Sequence, residues 1–192
     1  MRSAGSAAAT TCRAHVRCVL EAGPVTITLI TGANKGLGYE TARRLIGLGH
    51  TVLAGAAWVR GGYGHLDVLI NNAGTAAPRV GAQELTADAA MAGFGINVFG
   101  PIRVMHTFLP LLRAAGHPRI VNVSSGVGSF QRIRQPGTAE NAVMLPVCPA
   151  TKAALTMLAV QYARSLPGIL VNAADPSFTG TDFNHRHGTV PW

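Results

Sequence analysis

The chain has 192 residues, of which 48% are hydrophobic and 12% charged, and its formal net charge is +8 at pH 7. This length suits one ordinary domain, and the low charge content excludes a chain that is disordered throughout. The basic residues are dispersed without a run or stripe, and no apolar run reaches about 18 residues, so we expect neither a nucleic-acid partner nor a membrane span.

Residues 1–24 differ in composition from the rest of the chain. They hold three arginines and one acidic residue, Glu21, and show no strand or amphipathic helix pattern. We expect a disordered extension, followed by a single domain over residues 25–192. An organelle transit peptide is an alternative, because such leaders carry Arg and Ser and few acids, and a start codon assigned too far upstream is another.

The domain opens on a predicted strand, a glycine turn and a helix. Residues 25–31 (VTITLIT) are largely β-branched, glycines follow at Gly32, Gly36 and Gly38, and residues 39–49 carry apolar side chains at helical spacing. Glycines in such a turn let backbone amides and a helix N-terminus approach a pyrophosphate. A purely structural turn has the same pattern, so the motif alone leaves both interpretations open.

Three more short apolar runs end in polar residues, at 66–72 (LDVLINN), 119–125 (RIVNVSS) and 168–173 (GILVNA). Helical stretches are predicted between them, near 84–113 and 146–166. This alternation predicts an α/β fold, a Rossmann-type doubly wound parallel sheet with helices on both faces, whose ligands bind at the carboxyl ends of the strands. The polar residues at or just beyond those ends are Asn71, Asn72, Ser124, Ser125 and Asp175.

Six motifs occur together in a set order: TGANKGLG at 31–38, NNAG at 71–74, Asn97 in GINVFG, VNVSS at 121–125, ATKAAL at 150–155 and DPSFTGT at 175–181. With them the chain resembles the short-chain dehydrogenase/reductase family over about residues 25–181. The resemblance implies an NAD(P)-binding domain that transfers hydride between a nicotinamide and a carbonyl or alcohol, with carbonyl reductases as the most similar members.

The resemblance also implies which residues contact the cofactor. They are Gly32, Asn34, Lys35, Gly36, Leu37, Gly38, Asn72, Ala73, Gly74, Lys152, Pro176 and Thr181. A basic residue before the second glycine, here Lys35, commonly meets a 2′-phosphate in the family, so NADP(H) is the expected cofactor and NAD(H) the alternative. A lysine that is merely solvated would carry no such preference.

The catalytic positions implied by the resemblance are Asn97, Ser125, Cys148 and Lys152. Ser125 would hold the substrate carbonyl and Lys152 the nicotinamide ribose, and an isolated lysine in an apolar helix is costly to bury without a purpose. Asn97 would support a water chain, because Pro101, four residues on, cannot donate the helical hydrogen bond to its carbonyl. An ordinary proline kink is the alternative.

The pattern departs from the family at its tyrosine, because position 148, four residues before Lys152, is cysteine. A thiol reaches less far than a phenol, and losing a positioned general acid costs roughly 10²–10⁴ in rate. Tyr39 and Tyr162 are not obvious substitutes. A reactive thiol beside Lys152 is the alternative interpretation.

The sequence also lacks a segment between the second and third strands. Only about ten residues, 56–65, remain where family members carry a helix, a strand and another helix. Extended chain covers about 3.3–3.6 Å per residue, so this link can span the gap but cannot cover the sheet; Trp58 and Val59 are interpreted as the remnant of the lost helix. Ser177 replaces a family glycine, and His185 and His187 are not expected to bind a metal.

These observations predict an NAD(P)-dependent oxidoreductase with impaired activity that acts on a small carbonyl or alcohol. The alternatives are a non-catalytic NADP(H)-binding dimer and an inactive truncated product. Residues 153–166 are apolar on nearly every side, which predicts a homodimer or homotetramer through this helix and the 84–113 segment. An odd number of cysteines without CxxC spacing suggests neither disulfides nor zinc, and favours the cytoplasm.

Overall fold

The computed structural model describes residues 26–55, 62–181 and Gly188. Three sequence predictions fall outside these ranges: the N-terminal extension over 1–24, the helix remnant at Trp58 and Val59, and the histidine pair His185 and His187.

The centre of the fold is a five-stranded sheet in which every pairing is parallel. Its strands are β1 (Ile27–Ile30), β2 (Thr51–Ala54), β3 (Val68–Asn71), β4 (Arg119–Val123) and β5 (Leu170–Ala174), in the order β2-β1-β3-β4-β5. The four residues of β1, ITLI, are all buried, as expected for a parallel strand covered on both faces. The predicted doubly wound parallel sheet is confirmed.

In the described ranges five α-helices occur: α1 (Gly36–Gly47), α2 (Ala87–Phe94), α3 (Gly100–Arg113), α4 (Phe130–Arg134) and α5 (Val147–Ser165). The side chain of Thr86 caps α2 by accepting a hydrogen bond from the Ala89 amide at 3.2 Å. Helix α4 was not predicted from the sequence; the Ser129 side chain caps it by accepting from the Arg132 amide at 3.3 Å. None of the described helices combines the length and apolar character needed to cross a membrane.

Alternate residues along the strands pack into two apolar clusters, one on each face of the sheet. On one face Phe108 and Leu112 of α3 pack with Leu29, Leu69 and Ile120, all fully buried. On the other face Ala42 of α1 packs with a smaller set of strand residues, Ile30, Val52 and Ile70. This division follows from the two-residue period of strand side chains.

The α1 face is covered less completely than the α3 face. On β4, Ile120 is fully buried towards α3, whereas Val121 and Val123 on the α1 face are only half-buried. Leu170, on the neighbouring edge strand β5, is 58% exposed. Within the described part of the link between β2 and β3, residues 55 and 62–67, there is no helix to cover this face, in keeping with the missing segment expected from the sequence.

Candidate active site

The glycine turn between β1 and α1 requires glycine at three positions. Gly32 and Gly36 have φ angles of +66° and +56°, in the left-handed region that other residues rarely adopt. At Gly38 an added Cβ would lie 2.5 Å from the carbonyl oxygen of Gly32 and would also collide with the side-chain amide of Asn72. The backbone of the turn is therefore packed against its own helix with no room for a side chain.

Among the described residues, no side chain caps the N-terminus of α1. Lys35 is the N-cap residue, its side chain makes no capping hydrogen bond, and the first turn holds no acidic residue. Both Asn34 and Lys35 are exposed. Because the first amides of a helix lack intrahelical partners and carry partial positive charge, this end suits an anion such as a pyrophosphate.

The segment after β3 holds the glycine turn from the opposite side. Asn72 donates from Nδ2 to the carbonyls of Thr31 at 3.0 Å and Gly32 at 3.1 Å. The Thr31 hydroxyl accepts from the backbone amides of Asn72 at 3.0 Å and Ala73 at 3.1 Å. These four bonds fix the distance between two motifs that lie about 40 positions apart in sequence.

The loop after β5 approaches the same turn. A Cβ added at Gly36 would lie 3.6 Å from Cβ of Thr181, which is buried. Ser177 in this loop has a φ of +57°, the one described non-glycine residue in the left-handed region. Glycine, which the family resemblance leads us to expect at this position, adopts such a φ without strain. An Asx-type bond from the Ser177 amide to Asp175 Oδ1, at 3.0 Å, supports it here.

Asn97 lies in a π-helical turn, Gly95–Phe99, that joins α2 to α3. Gly100 donates to the carbonyl of Gly95, and Pro101, the second residue of α3, has no N–H to donate. The interruption is therefore a π-turn, a feature that often marks functional sites, and not only a proline kink.

The Asn97 side chain is fully engaged in hydrogen bonds. Its Oδ1 accepts from the Thr75 amide at 2.8 Å, and its Nδ2 donates to the Thr75 carbonyl at 2.8 Å and to Thr151 Oγ1 at 2.9 Å. Thr151, completely buried, donates in turn to the carbonyl of Cys148 at 2.8 Å. Thr151 thus connects the π-turn to the first turn of α5, a contact that no sequence signal indicated.

Lys152 points to the carboxyl edge of the sheet. The residue is 8% exposed, and its Nζ donates to the carbonyl of Val123, the last residue of β4, at 2.7 Å. A Cβ added at Gly74 would lie 3.7 Å from this Nζ and 3.4 Å from Asn97 Oδ1, so the three residues meet at one point. Burial lowers the pKa of Lys152, and the nearby Cys148 opposes that effect.

Ser125 precedes a single 3₁₀ turn, Gly126–Gly128, and its hydroxyl accepts from the Val127 amide at 3.4 Å. That turn packs tightly against α5, since a Cβ at Gly128 would lie 2.7 Å from the Ala153 amide nitrogen. The neighbouring Ser124 is buried and bonds the Lys152 carbonyl at 3.1 Å and Thr156 Oγ1 at 2.7 Å. Ser124 therefore joins the end of β4 to α5 by hydrogen bonds, and the hydroxyl of the next residue, Ser125, is not used in that contact.

Cys148 lies one helical turn before Lys152, half-buried in the first turn of α5. Burial raises the pKa of its thiol, although Lys152 and Arg79 both act to lower it. The thiol is thus mostly protonated at neutral pH, which argues against the alternative of a reactive thiolate. Tyr162 packs against the core cluster and Tyr39 is 52% exposed on α1, so both lie elsewhere in the fold.

Sequence reasoning missed a buried polar pair inside the sheet. Asn71 and Asn122 are register partners on β3 and β4, and Asn71 Nδ2 donates to Asn122 Oδ1 at 2.9 Å. The remaining side-chain atoms, Asn71 Oδ1 and Asn122 Nδ2, find no hydrogen-bond partner within the residues that the structure describes. The signal available was that both strands place asparagine at the same register position near their carboxyl ends.

Comparison with known proteins agrees with this geometry. A family model described as short chain dehydrogenase matches residues 54–190. The chain is 32% identical over 210 residues to the short-chain dehydrogenase anuI of Penicillium roqueforti, covering 84% of this chain and 82% of the relative. It is 25% identical over 253 residues to (+)-neomenthol dehydrogenase of Arabidopsis thaliana, covering 84% of this chain and 86% of that relative.

Two solved structures have the same fold. One is the NADPH-bound carbonyl reductase from chicken fatty liver, with a TM-score of 0.73, 23% identity and coverage of 86% of this chain and 83% of that one. The other is salutaridine reductase from Papaver somniferum, with a TM-score of 0.72, 21% identity and coverage of 86% of this chain and 91% of that one.

The alignments with both relatives run over more positions than the 192 residues of this chain, so the relatives carry internal segments that it lacks. The match nevertheless spans most of the chain, and the fold, the glycine turn and the lysine at the sheet edge agree with it. The chain belongs to the short-chain dehydrogenase/reductase family of oxidoreductases.

Proposed function

We propose that this chain binds NADP(H) across the carboxyl edge of its sheet and transfers hydride, slowly, between that cofactor and a small carbonyl or alcohol. The domain that does so is residues 25–192. The observation that carries the proposal is the buried ammonium of Lys152, held beside Gly74 and Asn97 at that edge. Burying the lysine charge in an apolar setting lowers the stability of the fold. Such a cost is expected where the charge binds a ligand.

The residues around the glycine turn fit a dinucleotide. The turn of Gly32, Gly36 and Gly38 is a cradle that any Cβ at Gly38 would fill, and the uncapped N-terminus of α1 suits the pyrophosphate. The other residues assigned to cofactor contact are Asn34, Leu37, Asn72, Ala73, Gly74, Pro176 and Thr181. When bound, the dinucleotide supplies or accepts the hydride. The protein's own residues bind and orient the dinucleotide and the substrate, and they move the proton.

The proton step depends on Ser125, Cys148 and Lys152. Ser125 would orient the carbonyl and the Lys152 ammonium would stabilise charge near the ribose. The Cys148 thiol is protonated at neutral pH and can serve as an acid in principle, but it is shorter than a phenol. We therefore expect turnover lower by roughly 10²–10⁴ than with a positioned tyrosine. Asn97 would act on this step as a positioning residue through Thr151.

Lys35 supports NADP(H) over NAD(H). It is exposed beside the second glycine, where its ammonium can meet a 2′-phosphate, and the first turn of α1 has no carboxylate that would oppose one. The structural neighbour from chicken fatty liver is NADPH-bound. NAD(H) remains the second candidate cofactor.

We also propose self-association, as a homodimer or homotetramer. On the segment from α2 to α3, Met91, Ile96 and Phe99 are 64%, 48% and 46% exposed, and Met157 on α5 is 58% exposed. A second copy would remove these side chains from water. The free thiol of Cys148 suits the cytoplasm, where thiols stay reduced.

The test is NADPH oxidation with a panel of ketones and aldehydes, run beside cofactor-dependent thermal stabilisation. We expect stabilisation by NADPH and slow oxidation in the unaltered chain, and a gain of about 10²–10⁴ in Cys148→Tyr. Cys148→Phe, which has the ring without the hydroxyl, is the matched control and should gain nothing. Pro149 lies in the first turn of α5, where its missing N–H is not needed, so the single substitution suffices.

The outcomes separate the competing functions. Stabilisation by NADPH without oxidation, in the Cys148→Tyr variant as well as the unaltered chain, would support a non-catalytic dinucleotide-binding protein, which the cysteine at this position favours. The absence of any stabilisation would refute cofactor binding and leave an inactive product.

A further inference from the structure

A loop over residues 74–79 follows β3 along the candidate active site, and we call it the β3 loop. Its first residue, Gly74, lies beside Lys152, since an added Cβ would be 3.7 Å from the lysine Nζ. The next residue, Thr75, exchanges two hydrogen bonds of 2.8 Å with the side chain of Asn97. The start of the β3 loop is therefore fixed against two of the predicted catalytic residues.

The far end of the β3 loop lies against the start of α5. Gly93 of α2 marks this contact, because a Cβ added there would lie 2.8 Å from the carbonyl oxygen of Ala77 and 2.7 Å from Cγ1 of Val147. The Ala77 amide also donates to Thr75 Oγ1 at 3.1 Å. The β3 loop is thus held at both ends, and its far end adjoins the first residue of α5.

Arg79 is the last residue of the β3 loop. It comes two positions after Ala77 and is exposed, while Cys148 comes directly after Val147. The Arg79 guanidinium is close enough to the Cys148 thiol to lower the pKa of that thiol, as Lys152 also does. Two separate elements, α5 and the β3 loop, therefore each bring a cation to the vicinity of the thiol.

The charges around the Cys148 thiol have one sign. Among the described residues, no carboxylate acts on the pKa of Cys148 or of Lys152. Two acidic residues elsewhere, Glu40 and Glu140, form ion pairs with arginines. The whole chain has a net charge of +8. A positive site on a positive protein attracts anionic substrates.

An arginine is well suited to a carboxylate. Its planar guanidinium has five N–H donors and matches the two carboxylate oxygens, so a contact within the protein and a contact to a ligand can coexist. A solvated surface arginine on a mobile segment would gain little from such a pair. The backbone just before Arg79 is held by the contacts of Ala77, which reduces the ordering that binding would require.

We propose that Arg79 binds a carboxylate of the substrate while Ser125 orients the substrate carbonyl, so that the substrate is an oxo acid or the corresponding hydroxy acid. This inference rests on the proposed function and narrows its substrate class from carbonyl compounds in general to those with a carboxylate. Arg79 is in this way a specificity-determining residue, and neither the hydride nor the proton passes through it.

The experiment compares 5-oxohexanoate with 5-oxohexanamide, which has the same flexible chain and an uncharged amide in place of the carboxylate. Dissociation constants are measured by ligand-observed NMR on the protein loaded with NADP⁺, which has no hydride to transfer. The salt concentration is about 0.1 M, where charges more than about 10 Å apart are largely screened. We expect the oxo acid to bind at least about fivefold more tightly, because charge-assisted hydrogen bonds are roughly twice as strong as neutral ones.

Two arginine variants test whether Arg79 causes this preference. Arg79→Gln should reduce the ratio of the two dissociation constants to within about twofold, and it should leave thermal stabilisation by NADP⁺ unchanged. Arg113→Gln is the matched control, since Arg113 is also exposed and ends α3 where the chain leads to the start of β4, outside the candidate site. It removes the same charge and should preserve the ratio.

The outcomes distinguish this inference from the proposed function. If NADP⁺ stabilises the protein and both ligands bind equally, or if Arg79→Gln leaves the ratio unchanged, the assignment of Arg79 is overturned and the proposed function stands. If Arg79→Gln lowers stabilisation by NADP⁺, the arginine binds the cofactor and the substrate assignment is overturned. If Arg113→Gln reduces the ratio equally, the preference reflects overall charge, which also overturns it. If NADP⁺ does not stabilise the protein, the proposed function itself is refuted.

Discussion

Lys152→Met should make the protein more stable while removing cofactor binding. Lys152 is 8% exposed, and within the described part of the chain its ammonium donates one hydrogen bond, to the Val123 carbonyl. The lost bond to a charged donor is worth about 1.5–3 kcal/mol, but the cost of burying a charge is several kcal/mol. We therefore expect the free energy of unfolding to rise by about 1–2 kcal/mol at pH 7, which for this size raises Tm by about 2–4 °C per kcal/mol.

The same substitution should change how stability depends on pH. Burial lowers the pKa of Lys152, so between that pKa and the unfolded value of about 10.4 the unfolded chain binds more protons than the folded one. Stability contributed by this group therefore rises with pH across that window. Cys148 has the opposite effect, because burial raises its pKa and the unfolded thiol loses its proton first, at about 8.5. Stability contributed by the thiol falls as pH rises above that value.

The two titrations overlap, so the comparison is made in a Cys148→Ala background. Urea unfolding followed by circular dichroism from pH 7 to about 10.5 gives the unfolding free energy with and without Lys152→Met. The rise with pH should be present in Cys148→Ala and absent in the double variant. A double variant that is less stable at pH 7, or that keeps the rise, would refute the reasoning from burial.

Four further predictions concern the turn, the loop after β5, cofactor choice and association. Gly38→Ala puts a Cβ 2.5 Å from a backbone oxygen, so it should lower the free energy of unfolding by about 1–3 kcal/mol and weaken NADPH binding. Gly47→Ala, on the same helix, is the control: its Cβ would meet no atom within 4 Å, so it should be neutral or stabilising. Equal urea midpoints for the two variants would contradict the packing argument. Ser177→Gly should stabilise by up to about 1 kcal/mol, because glycine adopts positive φ without strain, and an unchanged Tm would count against strain there. Lys35→Ala should weaken NADPH more than NADH in nicotinamide fluorescence titrations, and equal losses would remove the 2′-phosphate argument. Phe99→Arg should convert the proposed dimer to a monomer in light scattering at micromolar concentration, whereas a monomeric unaltered chain would exclude a dimer.

The sequence predicted the order of strands and long helices because each has a periodic apolar pattern of its own. The glycine turn was also predictable, since it needs particular residues at three nearby positions. Helix α4 was missed because five residues are too few to show a period. The bond from Asn97 to Thr151 joins residues 54 positions apart and depends on how two helices pack, which local pattern does not contain.

Ser177 shows where a resemblance and a structure complement one another. The sequence showed only that serine replaces the family's glycine. The φ of +57° adds that the backbone at Ser177 has a conformation for which glycine is suited. Conversely, the thiol of Cys148 is placed in the first turn of α5 as the sequence predicts, and only the structure adds that its burial keeps it protonated.

The asparagine pair between β3 and β4 bears on how the sheet assembles without its missing segment. Sliding β4 by one residue would turn Asn122 to the opposite face and leave the Asn71 amide buried against carbon. Each misaligned pairing would therefore lose the 2.9 Å bond and bury additional unpaired amide groups. The pair thus selects one alignment of β3 against β4 by penalising the others, at the cost of two amide atoms left without partners. Strand β3 is in this way positioned by its neighbour in the sheet, which makes its placement less dependent on the short link that arrives from β2.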